Sequence, residues 1–179
     1  MTYSNLRYFA GGMIVSATLM LSSTVWTKNT PQSFEEFEQL VDAAPVLLDP
    51  ALAEETRALM KRSMLAHHQQ NTAALIADLH EDYSFYSVSE AGPVALAESR
   101  AIAEEMTANL YQSDYMKNYT GVKSQPIAIV GNIGIQLDVE GFAFEDGTTE
   151  MHTLLTVLEL KDGKILRNWA FNPETGADE

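Results

Sequence analysis

The chain has 179 residues, with 25 acidic and 11 basic side chains, a formal net charge of −14 and no cysteine. This length suits one domain with its own core plus a short extension, while the lack of cysteine excludes disulfides, thiolate catalysis and cysteine-ligated metal sites. Because no basic cluster offsets the acidic charge, phosphate backbones would be repelled, and we expect no nucleic-acid partner.

The first notable stretch runs from Tyr8 to Trp26, contains no charged residue and follows Arg7. Such a run near the N-terminus is typical of an export signal or a membrane anchor. We therefore assign residues 1–27 to a signal peptide or membrane anchor. We expect an exported protein, periplasmic or otherwise extracytoplasmic, that contacts the membrane through this segment. Small residues suited to cleavage are poorly placed, and Trp26 suits a membrane interface, which favours an anchor over a cleaved signal.

Helical signals follow the N-terminal segment. Residues 28–50 are polar and contain proline, and they predict a tether with one short amphipathic helix whose apolar side chains begin at Phe34. Asp49 and Pro50 are the residue types of an N-cap and a first-turn proline, so a long helix is predicted from here to about His68.

A short helix, a strand and a third helix are predicted next. Asn71 or Thr72 can cap the short helix, and the segment from Tyr83 to Val88 has the aromatic and β-branched composition of a strand. After a break at Gly92 and Pro93, a third helix is predicted from apolar residues one turn apart. These are Ile102, Met106 and Leu110.

The rest of the chain predicts four long antiparallel strands. The first, Val122 to Val130, leads into a turn at Gly131-Asn132, which would place Lys123 opposite Glu140. Two further reversals are predicted at the dipeptides Asp146-Gly147 and Asp162-Gly163. The alternation of apolar and polar residues slips between Glu140 and Phe144, so we expect a bulge or bend there.

Two-residue loops at both Asp-Gly turns would fix the register of the sheet. Val139 then lies opposite Leu154, Thr156 opposite Trp169, and Leu158 opposite Arg167. The face toward the helices would collect the apolar residues Ile133, Ile135, Leu137, Val139, Leu154, Leu158, Leu160, Ile165, Trp169 and Phe171. The outer face would hold Gln136, Asp138, Glu140, Glu159 and Asn168.

The order of these elements resembles the cone-shaped α+β fold of the nuclear transport factor 2-like (NTF2-like) superfamily, in which three helices pack on a bent antiparallel sheet. The segment from Met64 through Asn71 to Tyr86 is similar to the helices and first strand of its SnoaL-like members, and the run from Lys161 to Ile165 resembles their turn into the last strand. The resemblance implies a SnoaL-like domain over residues 51–173, followed by a tail at 174–179.

What the resemblance implies about activity is broad, because this superfold hosts isomerases, hydrolases, dehydratases and proteins without known activity. Ketosteroid-isomerase-like members use a carboxylate base near the first strand. Here that strand has Tyr83, Ser84, Tyr86 and Ser87 but no acid before Glu90.

Polar residues predicted on the inner face of the sheet are the first candidates for a site, since a desolvated polar side chain must be paired or used. His152 is the candidate catalytic residue, as a general base, with a hydrogen-bonded residue at the rim as the structural alternative. Thr156 and Trp169 are predicted on the wall of a ligand cavity. Arg167 is a candidate for an anionic ligand group, with an ion pair or a rim position as the alternative.

Further candidates come from the helices and the first strand. His67 is expected to line the cone, and Tyr83 and Tyr86 are expected in the cavity wall or core, with Tyr86 facing away from Tyr83 because side chains alternate along a strand. His67 and His68 are adjacent, so they point to different helix faces, and no HExxH motif is present. We therefore expect no metal and no cofactor.

Three functions stay open at this level. The first is an exported domain that binds a small, largely apolar molecule in its cone, and the second is an enzyme that performs acid–base chemistry as an isomerase, dehydratase or hydrolase. The third is a non-catalytic interaction module. A homodimer is expected through an apolar patch on the outer sheet face, predicted at Leu155, Val157, Leu166 and Ala170.

Overall fold

The structure, a computed structural model, describes residues 33–171, which belong to the compact unit Pro31–Glu179. The predicted signal or anchor at residues 1–27 lies outside the described residues. The helices are α1 (Phe34–Ala43), α2 (Pro50–His68), α3 (Thr72–Ala77) and α4 (Arg100–Gln112), with a 3₁₀ turn at Tyr115–Asn118. The strands are β1 (Val46–Leu47), β2 (Leu79–Ser89), β3 (Gly92–Ala97), β4 (Tyr119–Val130), β5 (Ile133–Ala143), β6 (Thr149–Lys161) and β7 (Lys164–Phe171).

The helices begin at the capping residues that the sequence indicates. Asp49 accepts a hydrogen bond from the amide of Leu52 ahead of Pro50, and Asn71 accepts one from the amide of Ala74. Each bond satisfies an amide that the first turn of a helix leaves without a partner. The predicted starts of α2 and α3 are therefore confirmed.

The short helix α1 packs as part of the domain. Ser33 and Glu36 form a capping box at its start, and Phe37 and Val41 are fully buried. Both side chains join a cluster with Met64 of α2 and Val122 of β4. The helix of the predicted tether thus contributes to the core.

The strands form one seven-stranded sheet in the order β1-β4-β5-β6-β7-β2-β3. Strands β4 to β7 pair antiparallel, as the sequence predicts, and β2 pairs with β7 in parallel. Two strands, β1 and β3, were not expected. Helix α2 packs on β4 and β5. The helix and β5 approach closely at Gly134, because a Cβ added there would lie 2.7 Å from the sulfur of Met60.

The predicted register between β5 and β6 is wrong by one residue. Val139 pairs with Thr153 instead of Leu154, because Phe144 and Thr148 close a three-residue loop through an amide-to-carbonyl bond of 2.9 Å. Gly147 alone in that loop has a positive φ, of 86°. A slip of one residue reverses the direction of every side chain on a strand. The side of β5 predicted to face solvent therefore faces the helices.

At two other places a bulge shifts the observed register away from the predicted one. The Asp162-Gly163 turn pairs Lys161 with Lys164 as predicted, but the ladder then shifts, so that Thr156 pairs with Ala170 and not with Trp169. Leu158 pairs with Asn168 instead of Arg167.

A shift between Pro126 and Ala128 in β4 likewise places Val122, and not Lys123, opposite Glu140. Pro126 has no amide hydrogen to donate to the ladder, and prolines in strands are found at edges and bulges. The irregularity expected near Glu140 to Phe144 occurs on the partner strand, between Tyr119 and Gly121.

The larger core cluster lies between the inner face of the sheet and α2, α3 and α4. It includes Leu59 and Met60 of α2, Ile129 of β4 and Leu158 of β6. Within residues 33–171, no helix combines the length and the apolar character needed to cross a membrane.

Candidate functional site in the cavity

A cavity of about 260 Å³ lies between the inner face of the sheet and α2, α3 and α4. Most of its wall is apolar, with contributions from Met60, Phe85, Met106 and Leu158. Part of its polar wall, including both of its carboxyls, comes from one face of β5. The residues on that face are Gln136, Asp138 and Glu140.

Asp138 is the centre of a buried hydrogen-bond network. Its carboxyl accepts from the hydroxyl of Ser124 at 2.5 Å, from the hydroxyl of Thr156 at 2.7 Å, and from the amide nitrogen of Gln136 at 2.9 and 3.0 Å. Burial raises the pKa of Asp138, and the three hydrogen-bonding neighbours act in the opposite direction. The cavity therefore contains a fixed carboxyl group that holds its proton to higher pH than usual.

Glu140 lies two residues further along β5, and its side chain is less enclosed than that of Asp138. Its carboxyl lies 3.7 Å from Nε2 of His67, and its side chain is 25% exposed. Burial is the main reason that the pKa of Glu140 is raised, and repulsion from Asp138 adds to it, while His152 acts in the opposite direction. The Glu140 carboxyl is thus reachable from the cavity, and its pKa lies above the usual value for a glutamate.

His67, on α2, lies next to Glu140 at the same end of the cavity. Its Nδ1 lies 2.8 Å from the Tyr111 hydroxyl and its Nε2 lies 3.3 Å from the Tyr119 hydroxyl. Burial, together with the neighbouring His68, lowers the pKa of His67 to about 4. The ring is therefore neutral near pH 7, and its contact with Glu140 is not an ion pair. We call Glu140, His67, Tyr111 and Tyr119 the Glu140 cluster.

A second polar position lies across the sheet, on β2 and β7. The Tyr83 hydroxyl and the Asn168 side chain are neighbours, and both residues line the cavity. Burial raises the pKa of Tyr83 to about 12, and hydrogen bonding by Asn168 partly offsets this rise. Oδ1 of Asn168 is buried without a hydrogen-bond partner among the described residues. This part of the wall therefore has hydrogen-bonding capacity that the protein does not use.

Three of the predicted ligand-binding residues lie in the cavity wall. They are His67, Tyr83 and Thr156. Their roles stay predictions, since position alone does not establish binding. His152 pairs with Glu140 across the strands but is not among the lining residues, and it contacts Glu150 at 3.2 Å and Tyr115 at 3.3 Å. Its side chain is 42% exposed, so it lies at the rim.

Three other predicted residues lie on the outer face of the sheet, so the placement of Trp169 and Arg167 on the inner face is wrong, whereas Tyr86 faces away from Tyr83 as the alternation on the strand predicts. Trp169 pairs with Val157 and stacks on Tyr86, at a ring-centroid distance of 6.4 Å. Arg167 donates to Glu159 at 2.9 Å on the same face. The bulge in β7 reverses the side chains after Ile165, and for that reason neither Trp169 nor Arg167 faces the cavity.

Sequence reasoning missed Asp138, Glu140 and Gln136 because it placed them in solvent. Their sequence does contain a signal, since β5 alternates polar with apolar residues although it is a central strand covered by helices on one face. Buried carboxyls in that position require partners. Ser124 and Thr156 are the hydroxyl partners, one on each neighbouring strand.

Within residues 33–171, no group of three or more His, Asp or Glu side chains is arranged to hold a metal ion. The described wall offers carboxyls, hydroxyls and a neutral imidazole. These groups can form hydrogen bonds and transfer protons.

Comparison with solved structures places this architecture in a known class. A protein provisionally assigned as a ketosteroid isomerase from Kribbella flavida matches over 70% of this chain and 83% of its own, with 18% identity and a TM-score of 0.53. An LEH-like epoxide hydrolase from M. tuberculosis matches over 66% and 83%, with 12% identity and a TM-score of 0.51. An NTF2-like protein of unknown function from Mesorhizobium loti matches over 72% and 98%, with 14% identity and a TM-score of 0.51.

The chain therefore has the NTF2-like cone fold that the sequence resemblance predicted. At these identities the comparison establishes the fold alone, since the fold hosts several activities. No protein-family model matches the sequence, and no curated protein matches it significantly.

Proposed function

We propose that the domain binds a small, largely apolar molecule in the cavity between the sheet and the helices. The observation that carries this proposal is the cavity itself, about 260 Å³ with a mainly apolar wall and a few convergent polar groups. Small-molecule sites have this composition, in which apolar area supplies affinity and a few polar groups fix the orientation.

Filling the cavity tests the proposal. Ala103 is buried in α4 and lines the cavity, whereas Ala101 on the same helix is exposed. Ala103→Leu should abolish binding of benzyl alcohol, a small probe with an apolar ring and one hydroxyl, and Ala101→Leu should not. Ligand-observed NMR measures the binding, and circular dichroism checks the fold.

Thr107→Leu, also in the wall, provides a second filling variant if Ala103→Leu disturbs folding. Equal binding of benzyl alcohol to a folded filling variant and to the Ala101→Leu control would contradict the proposal.

A second function, proton transfer, is favoured by one observation. Glu140 combines a raised pKa with a position on the cavity wall, and both favour a general base, because a carboxylate of higher pKa is the stronger base. In this proposal Glu140 removes a proton from carbon next to a carbonyl group, and the resulting enolate later takes a proton back. Tyr83, whose pKa of about 12 keeps its hydroxyl protonated, can donate a hydrogen bond at the opposite wall.

Hydrogen exchange into a small ketone tests this second function. The full chain should catalyse deuterium uptake from heavy water into phenylacetone, and Glu140→Gln should remove that catalysis. Glu159→Gln is the matched control, because Glu159 lies on the outer sheet face in an ion pair with Arg167. Equal catalysis by the Glu140→Gln and Glu159→Gln variants would assign the proton transfer elsewhere.

Export and membrane attachment are also proposed, on the uncharged run from Tyr8 to Trp26 alone. A small apolar ligand is consistent with a protein that works close to a membrane, since such molecules partition into lipid.

A further inference from the structure

The charge of the cavity wall has a consequence for the class of ligand. The wall contains two carboxyl residues, Asp138 and Glu140, while no Lys or Arg is found among the described residues that line it. His67 does not compensate for them, since its pKa of about 4 leaves the ring neutral. A ligand that enters this cavity therefore meets no positive formal charge from the described lining residues, and it meets negative charge wherever a carboxyl is ionised.

The groups around Glu140 add a second feature, which is aromatic. The His67 ring lies 6.0 Å from the rings of both Tyr111 and Tyr119, measured between centroids. His67 and Tyr111 line the cavity, whereas Tyr119 is not among the lining residues. The faces of such rings carry partial negative charge and attract cations, most strongly where water is excluded.

The two carboxyls have different partners, and this difference indicates which of them attracts a cation more strongly. Asp138 is saturated by hydrogen bonds from Ser124, Gln136 and Thr156. Among the described residues, Glu140 has only the neutral His67 within 4 Å as a possible ionic partner, and the nearby His152 is engaged with Glu150 at the rim. The unneutralised charge of the wall is therefore concentrated at Glu140.

We propose that the cavity selects an apolar cation, an amine or quaternary ammonium molecule whose charged nitrogen lies against Glu140, His67 and Tyr111 and whose hydrocarbon part lies against the apolar wall. The inference rests on the proposed ligand-binding function and names its ligand class. An anionic molecule of the same shape is disfavoured, because it would bring like charge against Asp138 and Glu140 in a poorly solvated space.

Three probes of nearly equal shape separate charge from shape. Choline, 3,3-dimethyl-1-butanol and 3,3-dimethylbutanoate share a branched head, and their net charges are positive, neutral and negative. Binding to the full chain is measured by ligand-observed NMR at neutral pH and low salt. Choline should bind about tenfold more tightly than the alcohol, a difference within the range of a shielded cation–aromatic and carboxylate contact, and the butanoate should bind weakest.

Glu140→Gln should bring choline to the affinity of the alcohol, while Glu159→Gln should leave all three affinities unchanged. Added salt should weaken choline binding more than alcohol binding. If the alcohol binds as tightly as choline, the ligand class is wrong while the binding function stands. If none of the three binds, the class is overturned, and the benzyl alcohol experiment decides separately on the cavity.

Discussion

Replacing Thr156 by Val tests whether the Asp138 network is what the structure indicates. The two side chains are nearly equal in shape, so the substitution leaves no new cavity and removes one hydroxyl that donates to the carboxyl at 2.7 Å. A hydrogen bond to a charged group contributes about 1.5–3 kcal/mol, whereas a neutral one contributes about 0.5–1.5 kcal/mol. The free energy of unfolding at neutral pH should therefore fall by about 1.5–3 kcal/mol if Asp138 is ionised.

The pH dependence of this loss identifies the acceptor. In acid, where Asp138 is protonated, the loss should shrink toward the range of a neutral hydrogen bond, about 0.5–1.5 kcal/mol. Urea unfolding of the full chain followed by circular dichroism gives the free energies. The matched control is Thr153→Val on the same strand, since Thr153 pairs with Val139 and its hydroxyl has no hydrogen bond among the described residues. Equal losses for Thr156→Val and Thr153→Val at every pH would refute the network.

Three further outcomes are expected. In the folded chain Asp138 holds its proton to higher pH than in the unfolded chain, so stability from this group falls as pH rises from the ordinary pKa through the raised one, and Asp138→Asn should flatten that fall in urea titrations. The domain should form a homodimer through the outer sheet face, and Val157→Glu should convert it to a monomer by analytical ultracentrifugation; a monomeric wild type at tens of micromolar removes the idea. A fusion of residues 1–30 to a reporter active only outside the cytoplasm should give membrane-bound signal, and a soluble cytoplasmic reporter would contradict export.

The proposed dimer patch needs one correction from the structure. Leu155 and Val157 alternate with the cavity-lining residues of β6 and so lie on the outer face, as predicted. Ala170 lines the cavity and cannot take part. Trp169 and Leu137 lie on the outer side and extend the apolar surface there.

The parts of the fold that were predicted correctly are those that a few adjacent residues in the sequence determine. Helix starts are set by a few adjacent residues, so Asp49-Pro50 and Asn71 were interpreted correctly. The Asp162-Gly163 turn was correct for the same reason, because both residues adopt positive φ, 52° and 70°, as a two-residue hairpin turn of this type requires.

The candidate site could not be predicted, because it depended on which way each strand faces. An Asp-Gly pair occurs in two-residue and in three-residue loops, and at Asp146-Gly147 only the longer loop matches the observed Phe144–Thr148 bond. That single residue moves Asp138 and Glu140 from solvent to the cavity. The bulges in β4 and β7 have no local sequence signal stronger than Pro126, so they too were missed.

A buried carboxyl at Asp138 and a half-buried one at Glu140, on the same face of one strand, are costly for the folded state, and this cost is testable at Glu140. Because folding raises the pKa of Glu140, its ionised form is less stable in the folded chain than in the unfolded chain. Each unit of that rise corresponds to about 1.4 kcal/mol at a pH above the raised value.

Glu140→Gln keeps the shape of the side chain and removes the charge, so the variant should unfold at higher urea concentration than the wild type near pH 8. The difference should disappear in acid, where Glu140 is protonated. Glu159→Gln should act in the opposite direction and slightly, since it breaks an ion pair at the surface that contributes at most about 1 kcal/mol. If Glu140→Gln instead destabilises the domain at pH 8, the carboxylate has a structural partner. The proposed role of Glu140 in ligand binding or proton transfer would then lose its physical basis, because that role explains why a carboxyl is kept at a cost to stability.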